Sequence, residues 1–134
     1  MKQALLRYLL LTDAALLFLL GIFLILAPRQ VELAFQFKDL PLGVSYILGL
    51  WGCVFLTLAF GYVVASTAPA RHVAWVQVGI ARGVMECLLG IIYLGRGVVT
   101  FQQAGFGLVA AALITIAYII LYPRRGTPIA PTKP

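Results

Sequence analysis

Charge is scarce in this chain. Asp, Glu, Lys and Arg make up 10% of its 134 residues, where an average soluble domain carries about 25%. Acid is scarcest, with four Asp and Glu against ten Lys and Arg. A folded chain this short has a large surface for its volume, and so few polar groups cannot clothe that surface in water. A soluble domain is therefore excluded, and so is disorder, which needs low hydrophobicity. Cysteine is nearly absent: Cys53 and Cys87 stand alone, without C-x-x-C spacing. That excludes a disulfide scaffold and leaves no thiolate metal motif, so both are expected as buried thiols in helix contacts. The one histidine, His72, lies beside Arg71 at the edge of an apolar run and is expected at the membrane interface rather than as a pigment ligand. Ser66 has no orienting acid nearby in sequence, and no Gly-rich phosphate loop follows a strand. The net charge of +6 is spread along the chain, not gathered into a face for a nucleic-acid backbone.

What the chain has in abundance is apolar length: 63% of residues are hydrophobic and the mean hydropathy is +1.04. Four runs, at about 8–27, 42–65, 73–94 and 98–122, are each long enough to cross a hydrocarbon layer of about 30 Å. Pro28, Pro41, Pro69, the Gly95-Arg96-Gly97 turn and Pro123 punctuate them. Lipid offers no partner to an unpaired backbone amide, and four strands are too few for a membrane barrel. The predicted fold is all-α: a four-transmembrane-helix bundle, up-down-up-down, over residues 1–122, followed by an extended, proline-rich tail at 123–134. The first run is read as a retained span, because it is longer than a signal-peptide core, Asp13 interrupts it and no small-x-small cleavage pattern follows. Lys2, Arg7, Arg71, Arg124, Arg125 and Lys133 fall on one side and outnumber Arg29, Lys38 and Arg96 on the other. Both termini are thus expected in the cytoplasm, and the protein in the inner (plasma) membrane as a multi-pass chain.

Small residues at four-residue spacing let helix backbones approach in lipid and mark expected contact faces. Ser45, Gly49, Cys53, Thr57 and Gly61 form such a row in the second run. Gly79, Gly83 and Gly90 do so in the third, with Trp75 and Tyr93 on the same half, while Ala81, Val84, Leu88, Ile91 and Ile92 take the other. Gln103, Gly107, Ala111 and Thr115, then Tyr118 and Tyr122, line the fourth. These rows suit contacts within the bundle or with another chain. Tyr8, Tyr62, Trp75, Tyr118 and Tyr122 on one side, and Tyr46 and Tyr93 on the other, match interfacial belts, which leave Trp51 unexplained.

Ionisable groups within spans are costly and mark candidate sites. Glu86 stands one turn beyond Arg82, and Asp13 lies at a depth an extended Arg can reach, so Asp13, Arg82 and Glu86 are expected to cluster between the first and third spans. Such a cluster reads as a desolvated clamp fixing helix order. Equally, it offers a carboxylate whose charge desolvation disfavours, open to proton exchange or to a polar head such as a quinone carbonyl. Asp13 reaching interfacial water is the third reading. Outside the spans, Val31, Leu33, Phe35 and Phe37 alternate through 29–41, predicting an extended or interfacial piece with one apolar edge that meets the membrane surface or a partner. Arg124 and Arg125 on the tail are expected to make contacts of the same kind.

The run Gly83-Val-Met-Glu86-Cys-Leu-Leu-Gly90-Ile-Ile-Tyr-Leu-Gly95, with four short spans and an Ala27-Pro28 exit from the first, resembles the DoxX-like small membrane proteins. That resemblance implies a four-helix subunit, in some members associated with quinone-linked oxidation, and carries over Glu86 and its flanking glycines. No complete catalytic constellation is present, and the leading expectation is a non-catalytic accessory subunit of a larger, energy-transducing membrane complex. A quinone-contacting DoxX-like subunit without a metal comes second, with quinone or lipid as the ligand. A proton-coupled transporter of hydrophobic cations comes third, opposed by Arg82, whose charge would compete with a cationic substrate.

Overall fold

The computed structural model describes residues 1–36 and 41–123. Five helices form there: α1 (Lys2–Leu26), α2 (Pro28–Ala34), α3 (Leu42–Thr67), α4 (Val73–Gly95) and α5 (Phe101–Leu121). Among the described residues there is no strand. Four helices, all but the short α2, are long and apolar enough to span a membrane, as in a multi-pass membrane protein. Phe37, Arg124 and Arg125 lie outside the described residues, as does the tail beyond Pro123.

The breaks follow local chemistry. Ala27 leaves helical geometry (φ −138°, ψ 51°) because Pro28 crowds the residue before it, and Pro28 then opens α2 at a position where no amide hydrogen is needed. The segment 28–34 is therefore helical, not extended. At helical spacing Val31 and Phe35 share a partly buried side and Leu33 points outward, whereas an extended strand would have put all three on one edge. A glycine is required after α4, where Gly97 turns the chain at φ +68°. The last helix starts at Phe101, later than the hydropathy suggests, because Thr100 caps it. The Gln103 amide donates to Thr100 Oγ1 at 3.4 Å and the Thr100 amide to Gln103 Oε1 at 2.9 Å. Gln103 is thus a capping residue, and its Nε2 also donates to the Gln36 carbonyl at 3.3 Å.

Two antiparallel pairs build the molecule. The first is α1 on α3, the second α4 on α5; α1 joins them along α5, while α3 and α4 meet over a short stretch. The buried face of α1 is Leu6, Leu10, Asp13, Ala14, Leu17, Gly21 and Leu24, which, apart from the adjacent Asp13 and Ala14, follow at steps of three or four and keep one side toward α3 and α5. At the α1–α3 crossing the backbones nearly touch. A Cβ on Gly52 would stand 2.7 Å from the Gly21 carbonyl oxygen, and one on Gly21 2.9 Å from that of Gly52. Gly52→Ala is therefore expected to lower the thermal midpoint in detergent, by the equivalent of about 1 to 3 kcal/mol of overpacking. A melt no lower than native would show that the crossing can spread without loss.

The contact face of α3 is not the expected row. Gly52, Ala59, Tyr62, Ala65 and Ser66 are buried, whereas Cys53 and Thr57 are exposed and nothing lies within 4 Å of a Cβ built on Gly49. A strict four-residue step advances about 40° around a helix of 3.6 residues per turn, so the row winds away from its neighbour. Only its ends make contacts: Gly61 against the Trp75 ring and Ser45 donating to Glu32 Oε1 at 3.3 Å. Gly107 likewise faces open space. Gly79, Gly83, Gly90 and Ala111 do lie in the α4–α5 contact, where Gly79 meets the Tyr118 ring, Gly83 the Thr115 side chain and Gly90 Leu108.

Candidate functional site: a buried ion pair beside an open groove

The core sits toward the end of the molecule that holds the start of α1 and the end of α5. Leu6, Leu10, Leu17, Tyr62, Val76 and Tyr118 pack together there. Tyr62 and Tyr118 are fully buried, which removes them from the interfacial belt assigned to them by position. Their rings lie 6.3 Å apart, and Trp75 meets Tyr62 edge-on at 5.8 Å.

Asp13 projects into this aromatic core and is 2% exposed. Its carboxylate accepts from Arg82 Nη2 at 2.8 and 3.1 Å, and from the Tyr118 hydroxyl at 2.9 Å. The α1 and α4 backbones do not pack on each other, and the Arg82 side chain reaches across the gap to Asp13. Its guanidinium also stacks over the Tyr62 ring, 5.6 Å from the centroid, a favourable place for a cation. Four helices, α1, α3, α4 and α5, thereby meet at one point. The third expected member, Glu86, lies one turn along α4 with Oε1 3.5 Å from Arg82 Nε, close enough for an ion pair and too poorly placed for a hydrogen bond. Glu86 is 43% exposed.

The pairing is incomplete on the arginine side. One nitrogen, Nη2, serves both oxygens of Asp13, so the two-pronged fork is not used. Nε and Nη1 of Arg82 are buried without a hydrogen-bond partner, as is the Tyr62 hydroxyl. Unfilled buried donors are costly, and these stand next to a cavity. The α3 and α4 backbones share only a short contact, and a groove of about 700 Å³ opens between them. Arg82 and Glu86 line it, with Trp51, Phe55, Met85 and Leu89 as apolar walls. Trp51, which no belt explains, is thus a groove residue, edge-on to Phe55 at 6.1 Å. A second cavity of about 390 Å³ continues from Glu86, Trp51 and Phe55 toward Tyr93 and Gly107.

Sequence reading missed Tyr118 and Tyr62 as members of this cluster. The signal for Tyr118 was present: it shares a stripe with Ala111 and Thr115, which face α4. Nothing in the sequence marks Tyr62, whose place depends on how α3 is rotated. The remaining candidates are scattered. Cys53 is exposed on α3, and Cys87 lies on α4 with Sγ 4.0 Å from the Leu108 carbonyl, so of the two thiols only Cys87 lies in a helix contact. His72 caps α4 without a side-chain bond. Among the described residues no three of His, Cys, Asp and Glu come together as a metal site would require. No family model, curated protein or solved structure matches this chain.

Proposed function

We propose that the protein crosses the inner (plasma) membrane four times as an up-down-up-down bundle, with both termini in the cytoplasm, and serves as a non-catalytic accessory subunit of a larger, energy-transducing membrane complex. The observation that supports this reading is the outward row on α3, where Gly49, Cys53 and Thr57 are turned away from the chain's own helices. Lipid makes no distinction between apolar surfaces, but small side chains allow a second backbone to come close. Purification in mild detergent is expected to bring down another membrane chain. A Gly49→Leu, Thr57→Leu variant is expected to lose that chain while melting like the native protein. A homogeneous lone monomer from native membranes would overturn the reading.

The groove favours a second reading, a DoxX-like subunit that holds a quinone. The buried, unpartnered N–H groups of Arg82 can donate to a carbonyl, and the apolar walls suit a lipophilic tail. Bound quinone is expected in solvent extracts of the purified protein. Its affinity is expected to fall in an Arg82→Leu, Glu86→Gln variant, and equal affinity in native and variant protein would remove the site. Neither carboxylate is free in the way a proton-coupled cation transporter requires, since Asp13 holds three hydrogen bonds and Glu86 lies beside Arg82.

A further inference from the structure

A different cavity lies on the far side of the α1–α3 pair. Near the start of α1 a pocket of about 480 Å³ is walled by Gln3, Arg7 and Tyr8 from α1 and by Ser66 and Thr67 from the end of α3. Leu11 forms its floor and also the beginning of a second cavity, about 520 Å³, that runs on between Ala15, Phe18, Phe60 and Val63. Because Leu11 lines both, the two are taken together as one open channel, polar at the mouth and apolar along the body. From Arg7 to Phe18 the helix rises roughly 16 Å, about half of a 30 Å hydrocarbon core. That is the depth of one leaflet.

The mouth is positive. Among the described residues the ion pairs all belong to Arg82, so Arg7 has no carboxylate partner, and Lys2 and Arg71 are exposed at the same end. The nearest acid on α1, Asp13, is buried and held by Arg82. Ser66 and Thr67 spend their hydroxyl protons on the Val63 and Val64 carbonyls, both at 2.7 Å, which leaves Arg7, Gln3 and Tyr8 as the donors. Donors and positive charge at the mouth suit a phosphate, and the apolar body suits a chain of methylenes. We infer that this channel is a binding site for one anionic glycerophospholipid, its phosphate on Arg7 and one acyl chain laid between α1 and α3. The inference rests on the membrane-spanning reading and is independent of the accessory-subunit and quinone readings.

The test uses the full chain in zwitterionic detergent, titrated with phosphatidylglycerol or phosphatidylcholine of the same acyl chains and followed by thermal melting and native mass spectrometry. Phosphatidylglycerol is expected to raise the midpoint and stay bound, and phosphatidylcholine to do so weakly. Arg7→Gln, at an exposed position, is expected to weaken phosphatidylglycerol binding about ten-fold or more, the loss of a charged hydrogen bond. Ala15→Trp, which fills the channel below the mouth, is expected to weaken it as well. Inorganic phosphate and diacylglycerol alone are each expected to give little stabilisation. Equal response to the two phospholipids, unchanged binding in Arg7→Gln, or phosphate matching the whole lipid would overturn the proposal. A chain that remains soluble and folded without detergent would instead remove the membrane-spanning reading, so the two failures are distinguishable.

Discussion

Asp13→Leu is expected to be the most damaging single substitution on α1, and adding Arg82→Leu to it is expected to restore part of the loss. The single change leaves a guanidinium in the core with its best partner gone, whereas the double change removes both charges. Breaking a buried pair from one side costs about 3 to 5 kcal/mol in soluble proteins. Contacts between membrane helices often measure less, because the unfolded chain finds other partners in lipid. Glu86→Leu is expected to cost less than Asp13→Leu, since Glu86 is 43% exposed and makes no hydrogen bond to Arg82. Tyr118→Phe removes one bond to a carboxylate and is expected to cost about 1.5 to 3 kcal/mol. Thermal melts of these variants in one detergent give the whole cycle. Additive losses in the Asp13, Arg82 pair would mean that the two side chains do not support each other.

Gly83→Leu is the second large effect expected, and it should act by parting α4 from α5. A side chain at Gly83 would run into Thr115, whose hydroxyl already donates to the Ala111 carbonyl at 2.6 Å, and into the Ala111 carbonyl oxygen 3.3 Å from the new Cβ. Neither can yield, because one is backbone and the other is held to it. Overpacking of this kind costs about 1 to 3 kcal/mol or more. Gly49→Ala and Gly107→Ala serve as controls: both positions are open, and alanine favours a helix by about 0.8 to 1 kcal/mol over glycine. The purified chain is expected to melt lower with Gly83→Leu and no lower than native with the controls. A Gly83→Leu protein as stable as native would mean that the α4–α5 contact is not close.

The element types were legible in the sequence because hydropathy and proline placement act locally. Four long apolar runs became four long helices, and the ionisable groups of the first and third runs came together because few arrangements of charge are tolerable among apolar side chains. Rotation of a helix about its axis is a different matter. It depends on which neighbour a face meets, and on α3 a conspicuous four-residue row drew attention away from Gly52, Ala59 and Tyr62, whose spacing holds one side better. The alternation at 31–35 misled for a related reason: over so few residues a period of two and one of 3.6 both fit, and Pro28 decided for a helix. Groove residues such as Trp51 become intelligible only once α3 and α4 are seen to part.

The separation of Asp13 and Arg82 along the chain, 69 residues, sets an order of events during synthesis. At about 5 to 20 residues per second, roughly 3 to 14 s pass between the emergence of the carboxylate and that of its partner, and Tyr118 follows later still. Through that interval Asp13 lacks the arginine that holds it in the folded chain. The first helix therefore gains its final hold only when α4 arrives. Ribosome-stalled chains ending before Arg82 should accordingly hold α1 more loosely than chains extended past Tyr118, with the gain in extraction resistance appearing in steps at the third and fourth long helices.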